Sequence, residues 1–228
     1  MTSGGGAAAF SPLDIPGLQL WLDASQISGL NDGDAVGTWS DLSGNGNDVT
    51  QATASKKPTY KTGIQNGLPA VLFDGVDDFL LITKAFGLTS GTLFVVYKST
   101  AGSYCVLRTN NDSAGQYFRF AGDGKGYWGV FTTGRIETYP ASMPGANVAA
   151  YVVDVSSAAS KTVHVNGIDK GAQSFTFVSP TQINIGENSG AGGPWMTGYV
   201  MEVGLYNSAI SAGNLALLNA YLAAKYGI

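Results

Sequence analysis

Two short cassettes rich in Asp, Asn and Gly, Asp41-Leu-Ser-Gly-Asn-Gly-Asn-Asp48 and Phe73-Asp-Gly-Val-Asp-Asp-Phe-Leu80, constrain this chain more than any other feature. Each begins where a run of strand-like residues ends. Gly44, Gly46 and Gly75 accept positive φ without a Cβ clash, and the Asp and Asn side chains between them fold back onto their own backbone. The expected result is a pair of tight, ordered turns, and turns of this kind join strands in an all-β domain.

The rest of the chain reads the same way. Leu18 to Asp23 alternates as a first strand after Pro12 and Pro16. Further strands are expected at Val36 to Asp41, Ala70 to Phe73, Phe79 to Ile82, Thr92 to Ser99, Tyr104 to Arg108, Gln116 to Ala121, Tyr127 to Phe131, Val148 to Val155, Lys161 to Val165, Gln182 to Ile185 and Tyr199 to Tyr206. Three runs are apolar on both alternating faces and belong in the middle of a sheet: Leu93 to Tyr97, Val148 to Val153 and Tyr199 to Tyr206. Asn166-Gly167 supplies the two positive-φ residues of a type I′ hairpin turn. Gly122 to Gly126 is a longer connection of the same antiparallel kind. A helix is expected at the C-terminus, with Ser211 as N-cap, an apolar stripe of Leu215, Leu218 and Leu222, Lys225 in the last turn and Gly227 at C′. Residues 1–17 read as an extended Gly/Ala-rich arm, and residues 18–228 as one sandwich domain that includes a helix over 211–226.

Trp21-Leu-Asp23, the segment Asp41-x-Ser-Gly-Asn-Gly-Asn47, Phe73-Asp-Gly-x-Asp-Asp-Phe79, Val165-Asn-Gly167 and the closing Gly198-Tyr-Val-Met-Glu-Val-Gly-Leu-Tyr-Asn207 together resemble the concanavalin-A-like jelly roll, in its laminin-G-type branch. The landmarks run in order from about Leu18 to Tyr206. The resemblance implies a two-sheet antiparallel jelly-roll sandwich with one C-terminal α-helix, of the kind found in phage and bacterial surface proteins. That fold also hosts lectins, glycosidases and adhesion modules, so function has to be argued from particular residues.

Composition narrows the partners. Charged residues make up 12% of the 228, about half of the roughly 25% usual for soluble domains, so the surface is built from Ser, Thr, Asn, Gln and Gly. A net charge of −4, with Lys56-Lys57 the largest basic cluster, argues against a nucleic-acid partner. One cysteine excludes an intrachain disulfide. Residues 1–9 have neither the basic nor the apolar region of a secretory signal, and no stretch nears the roughly 20 apolar residues of a membrane span. No membrane insertion is expected.

The catalytic possibilities are thin. Glucanases with the resembled fold carry a Glu-x-Asp-x-Glu strand that places a nucleophile and an acid on one face. Here the three glutamates, Glu137, Glu187 and Glu202, have no carboxylate two or four positions away, and Asp32 and Asp34 sit in a turn. A chain without enzymatic activity is the expectation. Cys105 reads as a small core residue and His164 as solvent-facing, which leaves no Cys/His pair. The Asp41 loop begins like an EF-hand, but Ala52 stands where the bidentate Glu is required.

Binding chemistry is better represented. A pyranose presents an apolar CH face and a hydroxyl edge, so a glycan site needs an exposed ring beside amides and carboxylates. Trp195 and Asn188 in one loop, and Trp128, Tyr117 and Arg119 on neighbouring strands, are the candidates. Trp21 and Trp39 are assigned to the core or its edge. Asp74, Asp77 and Asp78 are explained as turn caps, and they are also the oxygen ligands a laminin-G-like rim would offer calcium. No other cofactor is expected. The functional expectation is a surface or adhesion protein of a phage virion, a head decoration or fibre-like component. It would attach to capsid or other virion proteins through its arm, in an oligomeric assembly, with host glycan as ligand. The alternative is a secreted, extracellular bacterial carbohydrate-binding module.

Overall fold

The first strand explains why the first cassette exists. β1 (Leu18–Asp23) has one edge paired to the sheet and the other edge open, and the open edge is closed by side chains instead of a strand. Asp41 Oδ1 accepts from the backbone N–H groups of Trp21 and Ser43, each at 2.9 Å, and Asp41 Oδ2 accepts from Asn47 N–H. Asn45 Nδ2 donates to Leu18 O, while Ser43 Oγ and Asn47 Nδ2 donate to Gln19 O. The backbone groups of β1 are thereby satisfied where no neighbouring strand is available.

In this computed structural model, residues 10–99, 104–109, 116–120, 126–130, 134–137, 148–156, 160–173, 179–187 and 195–228 are described. After β1 come β2 (Thr38–Trp39), β3 (Val49–Thr50), β4 (Thr59–Gln65), β5 (Leu68–Asp74), β6 (Leu80–Thr83), β7 (Gly91–Ser99) and β8 (Tyr104–Thr109). The second half adds β9 (Gln116–Phe120), β10 (Gly126–Val130), β11 (Gly134–Glu137), β12 (Val148–Ser156), β13 (Ser160–Val165), β14 (Ile168–Gln173), β15 (Gln182–Ile185) and β16 (Thr197–Tyr206), then the helix α1 (Ala212–Tyr226). All pairings are antiparallel. One sheet runs β14-β13-β12-β7-β16-β5-β4 with β1 also on β16, and the other runs β11-β10-β9-β8-β15-β6-β3-β2. The chain is a two-sheet antiparallel β-sandwich with one C-terminal helix, as expected.

The three runs that are apolar on both faces occupy the consecutive interior positions β12, β7 and β16. Asn166 (φ 49°) and Gly167 (φ 76°) form the expected hairpin turn. The expected Val36 to Asp41 strand shrinks to Thr38–Trp39, because the Asp41 cassette turns away to serve β1. Strands β3, β4 and β11 were not expected, and β14 (Ile168–Gln173) is the second arm that the Asn166-Gly167 hairpin implied.

Inward-facing residues of both sheets form the main core, including Leu20, Leu22, Trp39, Phe73, Leu80, Val95, Leu107, Ile183, Ile185 and Val203. A second apolar layer lies on the outer face of the first sheet under α1, where Trp21, Phe94, Met201 and Tyr206 meet Leu218, Leu222 and Tyr226. The helix has the expected ends: Ser211 Oγ accepts from Asn214 N–H, and Gly227 is left-handed.

Two buried carboxylates, Glu202 and Asp23, meet this second layer. Glu202 is fully buried and accepts from four donors: Trp21 Nε1 (2.8 Å), Tyr221 OH (3.1 Å), Lys225 Nζ (2.8 Å) and Tyr226 OH (2.7 Å). Lys225 also donates to Asp23, itself buried, at 2.6 Å. Burial pushes the Glu202 carboxyl up, and the Lys225 ammonium opposes that shift. Removing one member of such a cluster strands the others without a partner. Lys225→Met is therefore expected to cost about 3–5 kcal/mol, read as a lower denaturant midpoint. Lys61→Met, at the exposed pair with Asp32, should leave the midpoint nearly unchanged.

Candidate functional site

Three segments meet at one rim of the sandwich. They are the second cassette after β5, the end of β15, and the residues that lead into β16. Gly186 is the contact point: it has φ 96°, and a Cβ there would lie 2.4 Å from the Phe73 ring and 2.8 Å from Asp78 O. Its N–H donates to Val106 O, and its carbonyl accepts from Met196 N–H at 2.9 Å. Gly75, at φ 84°, lets the cassette approach Thr197 with no room for a side chain between them. Only glycine fits either position.

This convergence brings the Trp195 ring to the Phe79 ring, with centroids 6.3 Å apart and planes tilted by 37°. Lys56 Nζ stands 5.9 Å from the centre of Phe79. On the same cassette the carboxylates of Asp74, Asp77 and Asp78 offer oxygens that all lie within 4.8 Å of one another. Asp74 Oδ1 accepts from Val76 N–H at 2.8 Å, and Asp78 Oδ2 from Asp74 N–H at 3.0 Å. The turn-capping role read from the sequence is therefore present for Asp74 and Asp78, whereas Asp77 accepts from no described residue. The spacing suits a hard cation, and the three would supply part of the six to eight oxygens calcium takes.

Beside the rings, Asn184 and Glu187 complete the rim. Ile183 and Ile185 point into the main core, so Asn184 between them is on the outer face of the second sheet. Its Nδ2 donates to Glu187, and its register partners are Leu81 and Arg108. The sequence carried a signal for Asn184 that was not used: a polar residue between two isoleucines of a buried strand. Glu187, Phe79 and Lys56 carried none, since only the fold brings them together.

The other expected ligand residues are placed in part. Tyr117 pairs with Arg108 and so continues the row from Asn184; Arg119 pairs with Cys105, and Trp128 with Phe118. The backbones of these residues are described and their side chains are not. Asn188 lies outside the described residues. Trp21 and Trp39 are core residues, as expected. His164 is not the solvent-facing residue expected: it is half-buried, and its Nδ1 is enclosed without a partner. The reason is α1, whose Asn219 lies against the hairpin glycine Gly167 and screens a face that strand alternation alone would leave open.

No protein-family model matches this chain, and no curated protein sequence matches it. Solved structures do. A Trypanosoma rangeli sialidase in complex with sialic acid matches with a TM-score of 0.66 at 16% identity, over 96% of this chain and 34% of that one. Domain 4 of AbnA, a GH43 extracellular arabinanase from Geobacillus stearothermophilus, in complex with arabinotriose, matches at 0.62 and 15% identity, over 88% of this chain and 98% of that one. The botulinum neurotoxin serotype D binding domain matches at 0.64 and 10%, over 90% and 52%. The chain thus spans about a third of the sialidase's length. These are β-sandwich, lectin-like folds, and at such identities the likeness is one of fold.

The comparisons correct one expectation. The missing glucanase strand was read as the mark of a non-enzyme, yet chains described as a sialidase and an arabinanase carry this sandwich. The same sandwich occurs within chains so described, and the absence of one family's acidic strand is no mark of a non-enzyme.

Burial pushes the Asp78 carboxyl up to about 6; the Asp74 N–H works against the shift, and the Asp74 and Asp77 charges add to it. The folded chain holds this proton more tightly than the unfolded one. The associated stabilisation is full below the ordinary value of 3.8 and is lost as pH rises through about 6. Asp78→Asn keeps an acceptor for Asp74 N–H and removes the titration. Between pH ~4 and ~7 the native protein should lose on the order of 1 kcal/mol relative to this variant, allowing for solvent screening at the rim. Thermal melts across that range measure it.

Proposed function

We propose that the chain is a carbohydrate-binding sandwich of the laminin-G-like branch, displayed on a virion surface and held there by its N-terminal arm. The observation that carries the binding reading is the Trp195–Phe79 pair, flanked by Asp74, Asp77 and Glu187. A tilted pair of rings offers an apolar shelf for the CH face of a sugar, and the surrounding oxygens accept from its hydroxyls. Sialic acid and arabinotriose accompany two of the structures that share the fold, which favours the same ligand class here.

Placement on a particle rests on the low surface charge and on the Gly/Ala composition of the arm, with capsid or other virion proteins as partners in an oligomeric assembly. A second reading is favoured by the near-complete match to one domain of an extracellular arabinanase: an extracellular bacterial module that accompanies a carbohydrate-active enzyme.

Two experiments separate these layers. Trp195→Ala should lower binding on a glycan array at least about tenfold, the cost of removing a stacking ring. Equal signals from both proteins would remove the rim from the reading. Deleting residues 1–9 should abolish co-sedimentation with particles while leaving the melting temperature unchanged; undiminished co-sedimentation would remove the anchoring role.

A further inference from the structure

The helix α1 is apolar on two faces, and the fold uses one of them. Leu218, Leu222 and Tyr226 are buried against the first sheet. On the opposite side Gly213, Ala216, Leu217, Ala220 and Ala224 are all exposed, and at about 100° per residue they fall within one arc of roughly 100°. That arc carries no polar side chain. The only charged residue of the helix is Lys225, and its ammonium is turned to Asp23 and Glu202. A helix with one side in water normally carries charged or polar groups there, and a helix that is apolar all round is normally covered. The surroundings widen the apolar surface. Among the described residues four large apolar side chains are at least half exposed, and three of them belong to this side: Leu217 at 50%, Leu13 at 54% and Ile168 at 59%. Ile168 follows Gly167, which lies against Asn219, and Leu13 is three residues from Phe10, which packs on Tyr221. Asn219 and Tyr221 are about 160° apart around the helix, so the two apolar side chains flank it.

We propose that this face is where two copies of the chain pair about a two-fold axis, with their α1 helices antiparallel and crossing near Ala220. Leu217 projects, and the four residues beside it on the arc carry no more than a methyl group. Knob and socket thus lie on one face, and an identical face is its complement. A second copy also brings no charge to a surface that has none to answer it, whereas a charged partner would be left unpaired. The strip is about 22 Å long and, with Leu13 and Ile168, roughly 20 Å wide, so pairing buries on the order of 1,000 Å² over both copies. That is the lower limit of a specific interface, and the pair is reversible. Because Phe10 packs on Tyr221, the arms of both copies leave beside the same seam. The inference stands apart from the rim, so its failure would leave the glycan reading untouched.

The test is sedimentation velocity of the full chain from micromolar to near-millimolar concentration. The wild-type chain should shift reversibly from one copy to two. Leu217→Lys and Ala220→Glu, opposite in charge and both at solvent-facing positions, should each raise the dissociation constant at least about tenfold, with the melting temperature of the dilute monomer unchanged. Val76→Lys, at the fourth exposed apolar side chain, should pair as the wild type does. Mixing the Ala220→Glu and Ala220→Lys chains should restore pairing, because the axis sets position 220 opposite itself. A wild type that stays monomeric throughout, a pair that survives both charged variants or is lost in Val76→Lys, or a mixture that does not re-pair would overturn the proposal. If the pair forms only after residues 1–9 are deleted, the arm is the occupant of this face and the proposal falls. If Leu217→Lys instead abolishes co-sedimentation of a monomeric chain with particles, another virion protein is the occupant, and the proposal falls as well.

Discussion

A buried carboxylate organises the outer side of the first sheet. Glu202 can be enclosed only because four donors converge on it, and those donors come from β1, through Trp21, and from the last two turns of α1. The helix is thus positioned by a polar requirement as well as by its leucines. Lys225 extends the network to Asp23, and Gln65 and Asn66 bind the helix end from the β4–β5 turn.

Much of this was legible where local chemistry decides. The hairpin at Asn166-Gly167, the caps at Ser211 and Gly227, and the interior strands β7, β12 and β16 all follow from a few adjacent residues. The strands that escaped notice share a position: β4 and β11 are at sheet ends, and β3 is next to one. An edge strand buries little, so its sequence need not alternate; Thr59–Gln65 encloses only Tyr60. The Val36 to Asp41 overextension has the opposite cause, since Asp41 was counted as strand when its carboxylate is the group that finishes β1.

The rim was legible in its parts and not in its assembly. Trp195 and the three aspartates were singled out for different chemistries more than a hundred residues apart, and nothing local says that they are neighbours. Gly186 is what joins them, and its signal in the sequence is a single unremarked glycine after Gln-Ile-Asn-Ile. His164 shows the same limit from the other side. Its strand parity is read correctly, but the element that covers that parity comes last in the chain.

β16 has a consequence at larger scale. Thr197 at its start touches the rim, and Tyr206 at its end reaches Pro12 O, just after Phe10, where the chain packs onto Tyr221. A ten-residue strand spans about 30 Å, so the rim and the Pro12 contact lie at opposite ends of one strand. If the arm anchors the chain as proposed, each copy would hold the Trp195 rim away from its point of attachment. In a dense array of such copies each contact with a polymer can be feeble, because linked sites raise the local concentration of the next repeat. Grip would then come from the spacing of the lattice and not from the strength of any single pocket.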